Sequence, residues 1–456
     1  MQNMFKKVLI ANRGEIAVRI IRACREMGLQ CVTVYSTADR TALHAEIADE
    51  SVCIGPPSVQ ESYLNQNALI AACQNTGAQA LHPGFGFLSE NAAFAQLCLD
   101  NGITFIGPSP KAISMLGDKA RAKETMKKAG VPVIPGSDGA IDDVETAKKI
   151  AAEIGYPVLV KASAGGGGRG IRRVDQEDQL EEQMCLAKEE ARLFFGSDEV
   201  YLEKLIVEPH HVEIQIIADQ QGNTVALGER DCSMQRRNQK VIEESPSPLM
   251  TPELRTAMQE AAVRAAKACG YDNAGTIEFL VDCDRNFYFM EMNTRIQVEH
   301  PVTEWVTGID LVQAQLLAAQ GEPLPFRQED IAVRGHAIEC RINAENPEQD
   351  FRPSPGTIQQ MHIPGGPGIR VDSAVYQGYT IPPYYDSMIA KLIVYAPTRQ
   401  QAIMKMRWAL SEFIVDGIDT NIDFQLKLIK NKAFHEGTYD NTFLEKFLEE
   451  QKKAES

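Results

Sequence analysis

Residues 288–301, reading Y-F-M-E-M-N-T-R-I-Q-V-E-H-P, decide how this chain is to be understood. Glu291, Asn293, Arg295, Gln297 and Glu299 share one parity, while Met292, Thr294, Ile296 and Val298 hold the other. Successive side chains of an extended strand point to opposite faces, so an extended 288–301 gathers carboxylates, amides and a guanidinium on one face. A solvated edge strand also alternates. The residue types weigh against that reading, because Glu-x-Asn supplies the hard oxygen ligands that Mg²⁺ or Mn²⁺ takes. Glu278, in the strand-like run 276–281, adds a second carboxylate from the neighbouring strand of a hairpin.

Outward from this segment, the composition is that of an ordinary globular protein, with 44% hydrophobic and 24% charged residues. The 456 residues allow about three domains. A net charge of -16 argues against a nucleic-acid surface, so anionic ligands must be met by local basic clusters. Residues 1–14 carry only the short apolar run 8–11, which supports neither a signal peptide nor a membrane span, and a cytoplasmic location is expected. The 10 cysteines include no C-x-x-C pair and read as reduced, mostly buried thiols.

The N-terminal pattern is strand 7–11, helix 15–27 closed by Gly28, then strand 30–35, the opening of a doubly wound parallel sheet. Helix 65–75, strand 79–81, helix 90–100 and strand 103–106 continue it, giving a Rossmann-like first domain over 1–113. The loop His82-Pro-Gly-Phe-Gly-Phe-Leu-Ser has Ser89 where a dinucleotide fingerprint has its third glycine, and reads as a strand-to-helix turn with Ser89 or Asn91 near the cap. Residues 158–174 read as two strands joined by a glycine tip. No Walker lysine follows it, yet its successive N–H groups can wrap a phosphate beside Lys161 and Arg169. Residues 321–326 look like a linker, and strand and turn signals from Arg334 onward, then helices 398–414 and 421–430, make a third, mixed α/β domain.

A glycine hairpin for phosphates, acidic ligands on adjacent strands, and Lys119 and Lys161 upstream describe a nucleoside-triphosphate site outside the P-loop class. Lys240, Arg295, Glu299 and Arg341 exceed what nucleotide binding needs, and point to a second, anionic reactant and a base. On the segments A-N-R-G-E-I-A-V-R-I (11–20), H-P-G-F-G-F-L-S-E-N (82–91), K-A-S-A-G-G-G-G-R-G (161–170), H-V-E-I-Q (211–215), E-R-D-C-S-M-Q-R-R-N-Q-K (229–240), E-M-N-T-R-I-Q-V-E-H-P-V-T-E (291–304), E-C-R-I-N-A-E (339–345) and P-P-Y-Y-D-S-M-I (382–389), the chain resembles the biotin carboxylases of the ATP-grasp superfamily.

That resemblance implies an ATP-grasp domain over 114–325 with a lid at 131–203, and a C-terminal domain over 334–446. It implies ATP- and bicarbonate-dependent carboxylation of biotin on a carrier protein, through carboxyphosphate. Glu278, Glu291 and Asn293 are then expected to hold Mg²⁺ or Mn²⁺. Lys119, Lys161, Gly166, Gly167, Gly168, His211, Gln235 and Asn238 would bind ATP, together with Glu278, Glu291 and an adenine edge at Glu203, Lys204 and Ile206. Lys240, Arg295, Gln297 and the Val298 backbone would bind bicarbonate, with Glu299 as its base. Phe85, Gly86 and Arg341 would meet biotin, Arg341 countering charge on the ureido oxygen. Expected partners are a biotin carboxyl carrier protein, carboxyltransferase subunits and a second copy in a homodimer. A separate carrier favours a dissociable acetyl-CoA carboxylase feeding fatty-acid synthesis.

The pattern departs from relatives at Phe85, often tyrosine, at Asn238, His in some, at Ala164 in place of a glycine, and at His210 in place of an arginine. The tripeptide Met404-Lys405-Met406 imitates a biotinylation site, but within the helical stretch 400–411 Lys405 reads as an exposed helix lysine. Another acyl-phosphate-forming ATP-grasp ligase and a non-catalytic nucleotide-binding component of a larger complex stay open as alternatives.

Overall fold

The computed structural model describes residues 4–162, 170–195 and 197–455. Strands β1 (Lys7–Ile10), β2 (Gln30–Ser36), β3 (Glu50–Gly55), β4 (Ala80–His82) and β5 (Thr104–Phe105) form a sheet in the order β3-β2-β1-β4-β5. Every pairing in it is parallel. Val8, Leu9 and Ile10 are fully buried, as a parallel strand covered on both faces requires. Helix α1 (Gly14–Glu26) turns Ile16, Ile20, Ile21 and Cys24 inward and leaves Arg22 and Arg25 in solvent. The helix expected over 90–100 starts two residues late, at Ala92, because the Asn91 side chain caps it by accepting from the Phe94 N–H.

The expected hairpin at 158–174 is present as β6 (Val158–Ala162) and β7 (Ile171–Val174), joined on the other edge of β6 by β8 (Val200–Lys204). Helices Val144–Ile154 and Leu180–Phe195 pack on this small sheet around a core of its own, which includes Val158, Val160, Leu180, Met184 and Leu202. Gly166, Gly167, Gly168 and Arg169 lie outside the described residues.

The largest element is an antiparallel sheet of eight strands. It contains β9 (His210–Ala218), β10 (Thr224–Arg236), β11 (Gln239–Ser245), β12 (Asn273–Val281), β13 (Phe287–Asn293) and β14 (His336–Asn343), with strands Ile369–Ser373 and Met388–Ala396 beyond. The order is β13-β12-β9-β10-β11-β14, then 388–396 and 369–373. The sheet therefore runs unbroken from the middle of the chain into its C-terminal third. On β9, Val212, Ile214 and Ile216 join the core beneath helix Pro252–Ala268, while His211, Glu213 and Gln215 occupy the other parity. No helix among the described residues is long and apolar enough to cross a membrane.

Lys405 lies on helix Arg399–Glu412 as expected, but it is not exposed. Its ammonium folds back to donate to the carbonyls of Pro367 and Tyr395 at 2.8 and 2.7 Å, which half-buries the side chain.

Candidate active site

The strand expected over 288–301 stops at Asn293. Residues beyond it turn, and Glu299 is the residue before helix His300–Thr307, whose Pro301 sits in the first turn. Strict alternation thus places only Glu291 and Asn293 on the sheet. Arg295, Gln297 and Glu299 reach the same neighbourhood from a loop, held by contacts rather than by pleat.

Those contacts are continuous. Arg295 donates to Asn293 Oδ1 at 2.8 Å, to Gln297 Oε1 at 2.7 Å and to Glu90 Oε2 at 2.9 Å. Gln297 and Asn293 both donate to Glu278 Oε1, at 2.9 and 2.8 Å. The hairpin expected between 276–281 and 288–301 is β12/β13, with Glu278 directly opposite Glu291. Directly opposed residues share a face, so both carboxylates leave the sheet on one side. Glu278 is also opposite Glu213 of β9, and Glu213 is opposite Arg230 of β10. A row of charge therefore crosses four strands.

Lys240 is the hub. Its ammonium lies 2.6 Å from Glu213, 3.1 Å from Glu278 and 2.6 Å from Glu299. Arg341 Nη2 donates to Glu299 Oε2 at 2.9 Å, and its Nε donates to Glu243 Oε1 at 2.6 Å. His211 Nε2 is 3.0 Å from Glu278, and Gln235 Nε2 is 3.1 Å from His211 Nδ1. A cavity beside this cluster is lined by Arg236, Lys240, Arg341, Asn343, Glu345 and Phe351.

Burial sets the charges against one another. It raises the Glu299 carboxyl, but Lys240, Arg341 and Arg230 outweigh it and hold Glu299 well below the ordinary range. Glu278 is likewise lowered, burial being overcome by Lys240 and His211. Glu213 goes the other way, raised by burial that Arg230 and Lys240 only partly offset. Burial also works against the Lys240 ammonium, and Cys232, Glu213, Glu278 and Glu299 more than restore it. Glu291 is raised by burial and by the charge of Glu278, against Lys119.

Glu278 and Glu291 present hard oxygens from adjacent strands, the donor type a hard divalent cation takes. Asn293 spends its Nδ2 on Glu278 and its Oδ1 on Arg295, and so braces that pair. His211, Glu213 and Glu278 also place ligand atoms within 4.8 Å of one another.

At the three-stranded sheet, Lys161 of β6 and Lys123 of helix Lys119–Lys128 both bind Glu203 of β8, at 2.6 and 2.8 Å. Lys204 donates to the Gly155 and Tyr156 carbonyls at 2.9 Å, and Ile206 follows in the loop after β8. Lys119 approaches Glu291 at 3.7 Å. Asn238 is not brought in. It sits exposed at the β10/β11 tip with a φ of 63°, a left-handed position that asparagine tolerates. Phe85 packs against the core between the first sheet and the large one, and its carbonyl accepts from Asn12 at 2.8 Å. The hydrogen bonds, ion pairs and ring contacts among the described residues do not join Phe85 or Gly86 to Arg341. The Val298 carbonyl is taken by Lys391 at 2.9 Å.

Sequence reasoning passed over four members of the cluster: Glu213, Arg230, Glu243 and Glu90. Glu213 carried a signal, since H-V-E-I-Q alternates polar and apolar within a run that is otherwise apolar. Glu90 carried none, being about two hundred residues from the Thr294 and Arg295 groups it accepts from.

An eight-stranded sheet floored with acidic and basic pairs, a separate three-stranded sheet and a parallel N-terminal sheet define an ATP-grasp enzyme, an ATP-dependent carbon–nitrogen ligase. Family models for the biotin carboxylase N-terminal domain, the carbamoyl-phosphate synthase L chain ATP-binding domain and the biotin carboxylase C-terminal domain match residues 4–113, 118–327 and 339–446. The chain is 57% identical to biotin carboxylase 1 of Bacillus subtilis, over 97% of this chain and 99% of that protein. It is 53% identical to a pyruvate carboxylase subunit of Methanothermobacter thermautotrophicus, over 97% of this chain and 90% of that one. Among solved structures, it resembles the biotin carboxylase domain dimer of Hydrogenobacter thermophilus 2-oxoglutarate carboxylase in complex with MgADP, ADP and bicarbonate. The TM-score is 0.88 at 53% identity, covering 97% of this chain and 98% of that one. The chain belongs to the biotin carboxylase family, and biotin carboxylation is the activity that membership supports.

Proposed function

We propose that the protein uses ATP to carboxylate biotin borne on a carrier protein, with bicarbonate bound at the 295–299 loop. The observation that supports this best is Glu299, fully buried yet held ionised between Lys240 and Arg341. A base must be unprotonated when its substrate arrives, and Glu299 is. While both cations lie on it, its basicity is low. Bicarbonate would draw Lys240 and Arg295 onto its own oxygens, the Arg295 fork suiting a planar carboxylate, and so free Glu299 to take the proton.

The deprotonated oxygen would then attack the γ-phosphorus of ATP, giving carboxyphosphate and ADP. The carboxyphosphate C–O bond would break, the released phosphate would take the ureido N–H proton, and the carboxyl carbon would bond to that nitrogen. Arg341, fixed by Glu243 and Glu299, would meet the negative charge developing on the ureido oxygen from the cavity beside Lys240. Lys119, Lys161, His211 and Gln235 would hold ATP, with the Glu203, Lys204 and Ile206 segment along the adenine. Glu278 and Glu291, braced by Asn293, would hold Mg²⁺, which when bound neutralises phosphate charge. Closure of the lid, 131–203 in our division of the chain, would keep water from the intermediate. Lys405, with its ammonium spent on two carbonyls, suits no carrier role, and we assign biotin to another polypeptide.

We further propose a homodimer, as in the Hydrogenobacter domain, and service to an acetyl-CoA carboxylase. Relatives of similar identity serve pyruvate and 2-oxoglutarate carboxylases, so the acceptor is to be tested by supplying carrier and carboxyltransferase and assaying each carboxylated product. The carboxylase reading itself is tested by ADP release from MgATP, with bicarbonate supplied or depleted and free biotin present or absent. Turnover that needs bicarbonate and rises with biotin is expected. Turnover indifferent to both would assign the site to another acyl acceptor.

A further inference from the structure

The loop that ends in Glu299 is gripped from behind by a lysine that none of the steps above uses. Lys391 stands on strand Met388–Ala396, directly opposite Arg341, and is fully buried. Its ammonium donates to the Val298 carbonyl at 2.9 Å. Glu15, in the first turn of α1, comes within 3.0 Å and Asp372 within 3.9 Å, so the charge is balanced. Neither Glu15 oxygen lies in hydrogen-bonding geometry with a partner.

Burying an ammonium is costly unless it is both paired and hydrogen-bonded, and an apolar side chain of the same volume is usually no worse for stability. A cation retained at such a position therefore invites a reason other than packing. A lysine that served only to tie α1 to the C-terminal strands would need no acceptor beyond Glu15 and Asp372. Lys391 also donates to a backbone carbonyl flanked by Gln297 and Glu299, in a stretch with neither strand nor helix to hold its peptides. In a trans peptide the carbonyl and the following N–H point opposite ways. Drawing the Val298 carbonyl toward Lys391 thus fixes the tilt of the peptide from which Glu299 departs.

We infer that Lys391 is a positioning residue for bicarbonate, presetting the 295–299 loop by its bond to the Val298 carbonyl so that Arg295, Gln297 and Glu299 converge on the anion. The inference rests on the reading of that loop as the bicarbonate site.

The test is steady-state ADP release by three folded variants, with KM measured separately for bicarbonate and ATP. The double variant Lys391→Met/Glu15→Gln removes the ammonium and its charge partner together, leaving no unpaired carboxylate at Glu15. Its KM for bicarbonate is expected to rise roughly tenfold or more, since small displacements of positioning groups cost that much, while KM for ATP stays within about twofold. Glu15→Gln alone leaves the Val298 bond in place and both constants near wild type. Lys391→Arg keeps the charge but moves the donor on a longer, planar head, and serves if the double variant does not fold; a raised KM for bicarbonate alone is expected. A wild-type bicarbonate KM in a folded Lys391 variant overturns the inference, as does a rise in Glu15→Gln equal to that of the double. Wild-type turnover that ignores bicarbonate removes the loop's assignment and the inference with it, whereas bicarbonate-dependent wild-type turnover beside unaffected variants removes the inference alone.

Discussion

On the sheet floor, Lys240 touches three carboxylates within 3.1 Å, and Glu213, Glu278 and Glu299 are at most 4% exposed. At the rim of the site, on helix Lys119–Lys128, which packs on the core of the same large sheet, the Lys119 side chain is 88% exposed and meets Glu291 only at 3.7 Å. On the floor, strand pairing fixes Glu213, Glu278 and Lys240 against one another, and ion pairs hold the loop residue Glu299 to them. The three-stranded sheet has its own small core, from Val158 to Leu202, and its Lys161 pairs with its own Glu203. The difference teaches where each kind of work can be done. Charges that must not reorganise during reaction belong on the floor, where dipoles and ions are already aimed. Groups that must let a nucleotide in and out belong where solvent still competes for them.

The sharpest way to break this contrast is Glu299→Gln. It keeps the volume and removes the proposed base, so bicarbonate-dependent ADP release is expected to fall about 10²- to 10⁴-fold. ATP binding, followed by calorimetry, should persist, because the ATP-side lysines are untouched. Retained turnover would take the base away from Glu299 and leave the floor as a binding surface only.

A smaller effect is expected from Glu243, which orients Arg341 from below. Burial, together with the charge of Glu299 and against Arg341, pushes its carboxyl up to about 7. Above that pH it is the carboxylate that accepts the Arg341 Nε–H, so biotin-dependent turnover should climb as pH rises through about 7. In Glu243→Gln that limb should vanish from the pH profile while bicarbonate-dependent turnover without biotin changes less. For stability the sign is opposite. A folded value above the ordinary 4.5 favours the neutral form, so its stabilising contribution is complete below about 4.5 and lost as pH rises to about 7. A pH profile in Glu243→Gln that superposes on wild type would show that Arg341 needs no such support.

The smallest effect belongs to the exposed rim. Lys119→Ala should leave the thermal midpoint unchanged, as exposed substitutions generally do. It should raise KM for ATP while sparing KM for bicarbonate. A large loss of stability would mean that Lys119 belongs to the floor after all, and would blur the contrast.

The parallel first sheet, the 158–174 hairpin and the pairing of 276–281 with the acidic segment were all legible, because each depends on local period and turn chemistry. The segment 288–301 shows where that stops. Its alternation predicted the right residues in the wrong geometry, since the strand ends at Asn293 and residues 294–299 run through bends and turns into helix His300–Thr307. Glu299 still reaches Lys240, by tertiary contact rather than pleat.

What the sequence determined by itself was the inventory: the oxygen and cation chemistry of 278–341, its spacing, and a family resemblance dense enough to name the reaction class. Only the tertiary structure decided who faces whom. Glu90 braces Arg295 from the first domain, Glu213, itself paired with Arg230, balances Lys240 from the middle strands, and Lys391 holds Val298 from the last ones. The reason is physical. A charge removed from water must find its partner within a few ångströms, and the fold supplies that partner from whichever strand passes there, however distant in sequence.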